Sequence, residues 1–142
     1  MDLKIHLIDE SLPMPAYQTE GAIGFDLYAR ETTTIPAKAF GLVPSNLIVH
    51  VPAGHGLFIY SRSSTPKKKG LMVGNGVGVI DQDYSGPSDE IKILFYNSTE
   101  HDVTIDRAER CAQALIMQVP KVNFVKHHPS EKSRGGFGST GN

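Results

Sequence analysis

The fold of this chain is best approached from residues 75–86, which read NGVGVIDQDYSG. Val79 and Ile80 favour a pleated strand, whereas the Asp, Gln, Ser and Gly residues around them are typical of turns. The pattern predicts a hairpin that holds Asp81 and Tyr84 on one small wall bordered by glycines. A rigid acid beside a flat ring suits a site that binds a nucleotide sugar and activates water, and a plain hairpin with surface acids fits the segment equally well.

Alternating apolar and polar residues recur along the rest of the chain, as in strands with one buried face. These runs are 3–7, 47–51, 91–95 and 115–119, with Val122 and Phe124 following. The 14 glycines and 9 prolines fall mostly between the runs. Many short strands separated by turns predict an all-β sandwich or closed barrel.

Two segments depart from this pattern. Residues 106–115 contain good helix formers, but the alternation that continues to Val119 favours a turn followed by a strand. After Lys126 the composition becomes polar and then glycine-rich. We therefore expect one domain over residues 1–125 and a flexible tail over 126–142 that orders only against a ligand.

Bulk composition excludes several classes of protein. The 14 basic residues against 15 acidic ones give a net charge of -1, which argues against general nucleic-acid binding. Cys111 is the single cysteine, so no internal disulfide can form and a reducing compartment is the simpler expectation. The N-terminus is not a signal peptide, and no apolar run approaches the ~18 residues of a membrane helix. We expect a soluble, intracellular protein.

Two segments have the composition of anion-binding sites. Arg62 is flanked by hydroxyls in residues 61–65, which makes a plausible phosphate cradle, and the lysines at 67–69 favour a solvated loop that attracts anions. In residues 134–141, Arg134 can grip a phosphate while glycine N–H groups approach it, and Phe137 is free to stack on a base. A disordered Gly/Ser tail is the alternative.

Other polar residues carry weaker signals. Asp26 lies inside an apolar run and needs partners if it is buried; a role in bonding a turn is favoured over one in orienting a site group. The six histidines lack metal-ligand spacing and are interpreted as structural or surface residues. No Ser-His-Asp triad can be assigned from spacing.

Taken in order, five segments resemble the motifs of the trimeric dUTP diphosphatase (dUTPase) family. They are residues 22–29, 61–64, 75–86, 110–116 and 134–141. The resemblance implies an all-β jelly-roll or distorted β-barrel subunit, a homotrimer with active sites shared between subunits, and hydrolysis of dUTP to dUMP and pyrophosphate. Such an activity keeps uracil out of DNA and supplies dUMP for thymidylate synthesis.

The resemblance also implies roles for residues of the third motif. Asp81 resembles the acid that activates the water attacking the α-phosphorus, since a carboxylate ionised at neutral pH can accept its proton. Tyr84 resembles the ring that packs under the deoxyribose and leaves no room for a 2′-hydroxyl. Asn75 and the backbone after it, including Gly78, resemble the edge that reads uracil, and Asp83 becomes the lesser, structural acid.

Phosphate contacts are implied for the second and fourth motifs. Arg62, Ser63, Ser64 and Gln113 resemble the groups that hold the phosphates, with Ser63 and Gln113 coming from a different subunit than Asp81. Asp26 resembles the first-motif acid, which supports metal-bound phosphates indirectly. Mg²⁺ is the implied cofactor, held by the triphosphate and water with no direct protein ligand.

In the fifth motif the resemblance assigns the tail to the substrate. Phe137 would stack on uracil as the tail closes, with Gly138, Ser139 and Thr140 on the terminal phosphates. Arg134 would reach the γ-phosphate, although the family places its arginine two residues earlier, where this chain has Lys132.

Two other functions compete with this one. A dCTP deaminase of the same superfamily would need a Glu in the third motif, where this chain has Asp81. A non-catalytic β-sandwich could bind nucleotide and regulate a partner. The source of the chain, viral or cellular, stays open.

Overall fold

The computed structural model describes residues 1–129, 133 and 135. Its regular elements within those residues are eleven short strands and one helix. They are β1 (Lys4–Leu7), β2 (Phe25–Tyr28), β3 (Thr33–Ile35), β4 (Phe40–Pro44), β5 (Leu47–His50), β6 (His55–Ser61), α1 (Ser64–Lys69), β7 (Leu71–Val73), β8 (Gly78–Ile80), β9 (Lys92–Asn97), β10 (Val103–Ile105) and β11 (Arg110–Gln118). The predicted all-β class is confirmed.

The strands form antiparallel sheets around one hydrophobic core. A four-stranded sheet has the order β2-β11-β6-β8 and a three-stranded sheet the order β4-β9-β7, while β1 pairs with β5 and β3 with β10. Each sheet contributes fully buried side chains to the same cluster, among them Leu57, Phe95, Val49 and Ile35. The alternation read at residues 3–7, 47–51 and 91–95 marks strand faces that pack on this core. In the run 115–119 it marks the wrong face, because Met117 is exposed and Ala112 and Ala114 are among the buried residues of β11.

The turn and strand predicted for residues 106–119 are confirmed. Ala108 has a positive φ of 67°, the Glu109 N–H donates to the Asp106 carbonyl at 3.0 Å, and β11 begins at the next residue. The helix-forming composition is overridden because β11 pairs with β2 on one side and β6 on the other.

The predicted hairpin at residues 75–86 is wrong in its pairing. β8 pairs with β6, with Ile80 opposite Leu57, whereas the preceding β7 pairs with β9 in the other sheet. The residues after Ile80 form turns and bends instead of a returning strand. Residues 75–86 therefore carry the chain from one sheet to another, and Asp81 follows the end of β8.

The solvated lysine loop is also wrong, because Lys67, Lys68 and Lys69 belong to helix α1. Lysine is a good helix former, and the helix ends at Gly70, whose left-handed φ of 65° suits a C-terminal cap. The Gly70 N–H closes the last turn by donating to the Pro66 carbonyl.

The strand pattern that the sequence continues to Val122 and Phe124 does not form a strand in this chain. Phe124 is 96% exposed. Within the described residues its segment pairs with no strand, and the ladder between β11 and β6 ends where Gln118 is opposite His55.

Asn97 holds together the far end of β9. It is fully buried, and its amide donates to the carbonyls of Ile35, Pro36 and His101 at 2.8–3.1 Å. Its side-chain oxygen accepts from the N–H and hydroxyl of Thr99. One side chain thus satisfies the polar groups of two neighbouring loops.

We expect Asn97→Ala to lower the free energy of unfolding by about 2–3 kcal/mol, since it leaves buried carbonyls without donors. Urea unfolding at fixed protein concentration measures the loss. The control is Thr104→Val, which removes an exposed hydroxyl paired with Thr34 and should change stability by less than about 0.5 kcal/mol. Equal losses in the two variants would contradict the role of Asn97.

Candidate active site

A buried carboxylate forms ion pairs with two arginines at one end of the four-stranded sheet. Asp26 on β2 is 6% exposed, and its Oδ1 pairs with Arg62 Nε at 2.8 Å. Its Oδ2 accepts from Arg110 Nη1 at 3.1 Å. A buried charge requires partners, and two guanidiniums on one carboxylate leave an excess of positive charge. We call these three residues the guanidinium cluster.

The predicted phosphate contacts lie around this cluster. Gln113 is opposite Asp26 across the sheet, and its Nε2 donates to the Ser61 carbonyl at 3.0 Å. Ser63 is exposed at the start of α1, and its hydroxyl makes no cap hydrogen bond with that helix. Ser64 lines a cavity of about 260 Å³ together with residues of the cluster. The structure therefore brings Arg62 and Gln113 next to Asp26 and places Ser64 in the cavity with Arg62 and Arg110. Ser63 is the chain neighbour of Arg62 and is exposed beside it.

The favoured interpretation of Asp26 is wrong. It pairs with two guanidiniums instead of bonding a turn. Its neighbours explain this: buried on β2, the carboxylate lies where the basic side chains from the end of β6 and the start of β11 meet. The alternative, an acid that orients a site group, fits these contacts.

Asp81 and Asp83 lie in a turn after β8, which we call the acid turn (residues 81–84). Both carboxylates are exposed and line a cavity of about 350 Å³ with His55 and Lys121. The Tyr84 N–H donates to the Asp81 carbonyl at 3.3 Å, which closes the turn. The Gln82 Nε2 donates to the His55 carbonyl at 3.0 Å and attaches the turn to β6.

Asn75 and Gly78 share a smaller cavity of about 90 Å³ with an apolar lining that includes Val73 and Ile59. A Cβ atom on Gly78 would lie 3.0 Å from the Ile59 Cβ, so a larger residue would push the two strands apart. The small residue keeps β8 close to β6 beside the exposed Asn75.

Within one chain, the acid turn and the guanidinium cluster lie at opposite ends of β6. Ile80, next to Asp81, is opposite Leu57, and Ser61, next to Arg62, is four residues further along the strand. At about 3.3 Å per residue, that part of the strand alone spans about 13 Å. The structure therefore does not bring Asp81 and Arg62 together in a single chain.

Other candidate groups contribute little chemistry here. Burial raises the pKa of the Cys111 thiol to about 12, so this cysteine is not a nucleophile. Within the described residues, no three His, Cys, Asp or Glu side chains are placed to hold a metal ion. In that same part of the chain, no helix has the length and apolar character of a membrane span.

The tail residues selected from the sequence lie outside the described residues. They are Lys132, Arg134, Phe137, Gly138, Ser139 and Thr140.

Arg110 is a residue of the guanidinium cluster that sequence reasoning missed. It begins the segment 110–116, from which only Gln113 was selected. Its importance follows from the strand pairing, which places it opposite Tyr28, two residues from Asp26. A second contact, to the Oε1 of Gln18 at 2.9 Å, joins the long loop before β2 to the cluster.

Comparison with known proteins identifies relatives of this chain at the level of sequence. The dUTPase family model matches residues 10–141. A deoxyuridine 5′-triphosphate nucleotidohydrolase of Lactococcus lactis is 37% identical over 131 residues, covering 90% of this chain and 87% of that protein. One of the same name from Yarrowia lipolytica is 37% identical over 146 residues, covering 99% and 90%.

Solved structures agree with the fold. A dUTPase from Streptococcus mutans superposes with a TM-score of 0.79 at 36% identity, covering 84% of this chain and 98% of that one. A point mutant of a Staphylococcus bacteriophage 80alpha dUTPase reaches a TM-score of 0.85 at 20% identity and 99% coverage of both chains, a likeness of fold alone. The jelly-roll prediction is confirmed, and the chain belongs to the dUTPase family.

Proposed function

We propose that this protein is a dUTP diphosphatase that hydrolyses dUTP to dUMP and pyrophosphate inside the cell. The observation that carries the proposal, in a chain of this family, is the guanidinium cluster beside Ser63 and Gln113. Guanidiniums bind phosphate oxygens in pairs of hydrogen bonds, and a cluster with excess positive charge suits a triphosphate. The activity limits uracil in DNA and supplies dUMP for thymidylate synthesis.

Asp81 acts as the general base in this proposal. A water oxygen bonds to the α-phosphorus while the bond from that phosphorus to the bridging oxygen breaks, and pyrophosphate leaves. Asp81 takes the proton of the water. Its exposed carboxylate at the end of β8 is accessible to substrate and water, as this role requires.

The nucleoside half of the substrate is assigned to the cavity and ring near the acid turn. Asn75 and the backbone at Gly78 read the edge of uracil in the narrow apolar cavity. Tyr84 is 39% exposed, so part of its surface is accessible for packing under the deoxyribose. The narrow cavity also disfavours the 5-methyl group of thymine.

Each active site combines residues of different subunits in a homotrimer. The separation along β6 supports this, since one chain keeps Asp81 away from Arg62, Ser63, Ser64 and Gln113. An exposed apolar face on the three-stranded sheet provides a surface for association: Phe40 and Met72 are both opposite Tyr96, so the three side chains lie on the same face.

Mg²⁺ accompanies the substrate in this proposal. Asp26 is already engaged by two guanidiniums and supports the phosphates through them, so it is not a metal ligand. This donor set fits an ion carried by phosphates and water, the usual arrangement for Mg²⁺ on nucleotides. The ion offsets the charge of the triphosphate and fixes its conformation.

The tail over residues 126–142 completes the site. Phe137 stacks on uracil, Gly138, Ser139 and Thr140 bind the terminal phosphates, and Arg134 reaches the γ-phosphate. This part of the proposal rests on the composition of the segment and on the family to which the chain belongs.

We expect Asp81→Asn to lower turnover of dUTP by ~10²–10⁴ while folding and nucleotide binding persist, because the general base is lost. Pyrophosphate release from dUTP, dCTP, dTTP and UTP with Mg²⁺ measures it. The matched control is Asp83→Asn, which changes the neighbouring exposed acid and should keep most of the turnover. Turnover at the native rate in Asp81→Asn would show that Asp81 is not the general base.

The same panel tests the activity itself. Ammonia release from dCTP would identify a deaminase, and dUTP binding without pyrophosphate release would identify a regulatory module.

Mixing two inactive variants tests the shared site. Asp81→Asn and Arg62→Ala subunits, unfolded together and reassembled, should regain activity in about a quarter of sites if the two residues come from different chains. The control is each variant reassembled alone. No recovery in verified mixed trimers would show that one chain supplies both residues.

Truncation before Ser133 should leave the assembly folded and reduce turnover severely, because base stacking and phosphate clamping are lost together. Size-exclusion chromatography checks assembly and the pyrophosphate assay checks turnover. Unchanged kinetics would exclude the tail from the mechanism.

A further inference from the structure

Tyr84 is fixed at both ends of its side chain. The ring is 39% exposed, yet its hydroxyl donates to the Glu90 carbonyl at 3.2 Å. The backbone at Tyr84 is held by its hydrogen bond to Asp81. A ring anchored at the Cα and at the phenol oxygen keeps its plane, whereas a ring anchored only at the Cα can rotate about χ1.

The acceptor of this hydrogen bond belongs to a buried residue whose side chain is hydrogen-bonded at both oxygens. Glu90 is 6% exposed, and its Oε1 accepts from Arg30 Nε at 2.8 Å and from the Asn46 N–H at 2.9 Å. Its Oε2 accepts from Arg30 Nη2 at 3.0 Å. The next residue, Ile91, bonds the backbone on both sides of Asn46. The Glu90 carbonyl therefore belongs to a buried segment whose side chain and following backbone are hydrogen-bonded to the core.

The loop between Tyr84 and Glu90 does not supply this rigidity by itself. Within it, the Gly86 N–H donates to Asp89 Oδ2 at 2.7 Å and the Asp89 N–H donates back to the Gly86 carbonyl at 3.0 Å. These bonds close a small turn within the loop. The hydroxyl of Tyr84 is what connects the ring directly to the buried Glu90.

We propose that the buried pair Glu90–Arg30 is a specificity device that positions Tyr84 through the Glu90 carbonyl and thereby rejects ribonucleotides. The inference rests on the proposed function, since it concerns how the same site tells UTP from dUTP. A ring that cannot move leaves no space for one additional oxygen at the sugar, and such steric exclusion is an effective way to discriminate between two similar ligands.

The expected effect can be scaled from a simpler case. An apolar pocket rejects an isosteric hydroxyl by a factor on the order of 10², and a 2′-oxygen that also needs additional space is rejected at least as strongly. Releasing the ring should recover part of this factor for UTP. Glu90 acts as a positioning residue, and the selectivity ratio is a readout that a purely structural role would not change.

The test is the ratio of kcat/KM for dUTP to kcat/KM for UTP, measured by pyrophosphate release. Tyr84→Phe removes the hydroxyl and keeps the ring, and we expect the ratio to fall about tenfold. Glu90→Gln should lower it too, because the new amide would face the Arg30 Nη2 donor in place of Oε2.

The matched control is Asn97→Ala, which breaks a buried hydrogen-bond network at the other end of β9. It should cost stability without changing the ratio. A folded Glu90→Gln with an unchanged ratio would overturn the role of the pair. If Glu90→Gln does not fold, Arg30→Lys, which cannot make both hydrogen bonds to Glu90, takes its place. A ratio that is unchanged in Tyr84→Phe, or equal losses for both nucleotides, would overturn the inference while leaving the dUTPase activity intact. Absence of dUTP hydrolysis in the unmodified protein would overturn the proposed function, and this inference with it.

Discussion

The backbone ladder between β6 and β11 is the constraint on which the rest of the molecule depends. It runs from Ala112 opposite Ser61 to Gln118 opposite His55, the whole length of β6. β2 then pairs with the other edge of β11, and β8 with the other edge of β6. Because a fully paired strand neither bends nor slips easily, its length fixes the distance between the chemistry at its two ends. One end carries the guanidinium cluster and the other carries the acid turn.

Two buried carboxylates organise those ends in the same way. Asp26 directs a pair of guanidiniums, and Glu90 binds one guanidinium in two hydrogen bonds beside the loop that carries Tyr84. The hydrogen bond to Glu90 raises the pKa of Arg30, which favours the charged guanidinium. Buried ion pairs contribute little net stability after desolvation, but removing one partner is costly. Their main effect here is on geometry. Asp26 holds the two guanidiniums in place, and Glu90 holds the carbonyl that accepts the Tyr84 hydroxyl.

Local sequence located some of the strands and none of their pairing partners. Alternation located β9 and β11, and it correctly outweighed the helix-forming residues around Arg110. It failed at residues 75–86, where a hairpin and a crossing between sheets have the same local pattern. It failed again at Phe124, because alternation cannot tell whether a partner strand is available.

For the candidate site, the sequence predicted suitable residue types but not the contacts between them. Residue types that suit phosphate binding pointed to Arg62, and the contacts of Asp26 with Arg62 and Arg110 depend on strand pairing that no short motif encodes. The role of Asp26 was therefore misjudged for the same reason that Arg110 was missed.

The separation along β6 has a consequence for how such a protein is controlled. If each site is shared between chains, as we propose, a single subunit carries phosphate-binding residues for one site and a catalytic acid for another. These two groups of residues contact two separate substrate molecules. Activity then depends on assembly and so on subunit concentration, as for any function that exists only in the oligomer. The exposed apolar face around Phe40 and Met72 would then be under functional selection, because losing the interface separates Asp81 from the phosphates it acts on. In the shared-site proposal, the length of β6 between Asp81 and Arg62 is what makes catalysis depend on assembly.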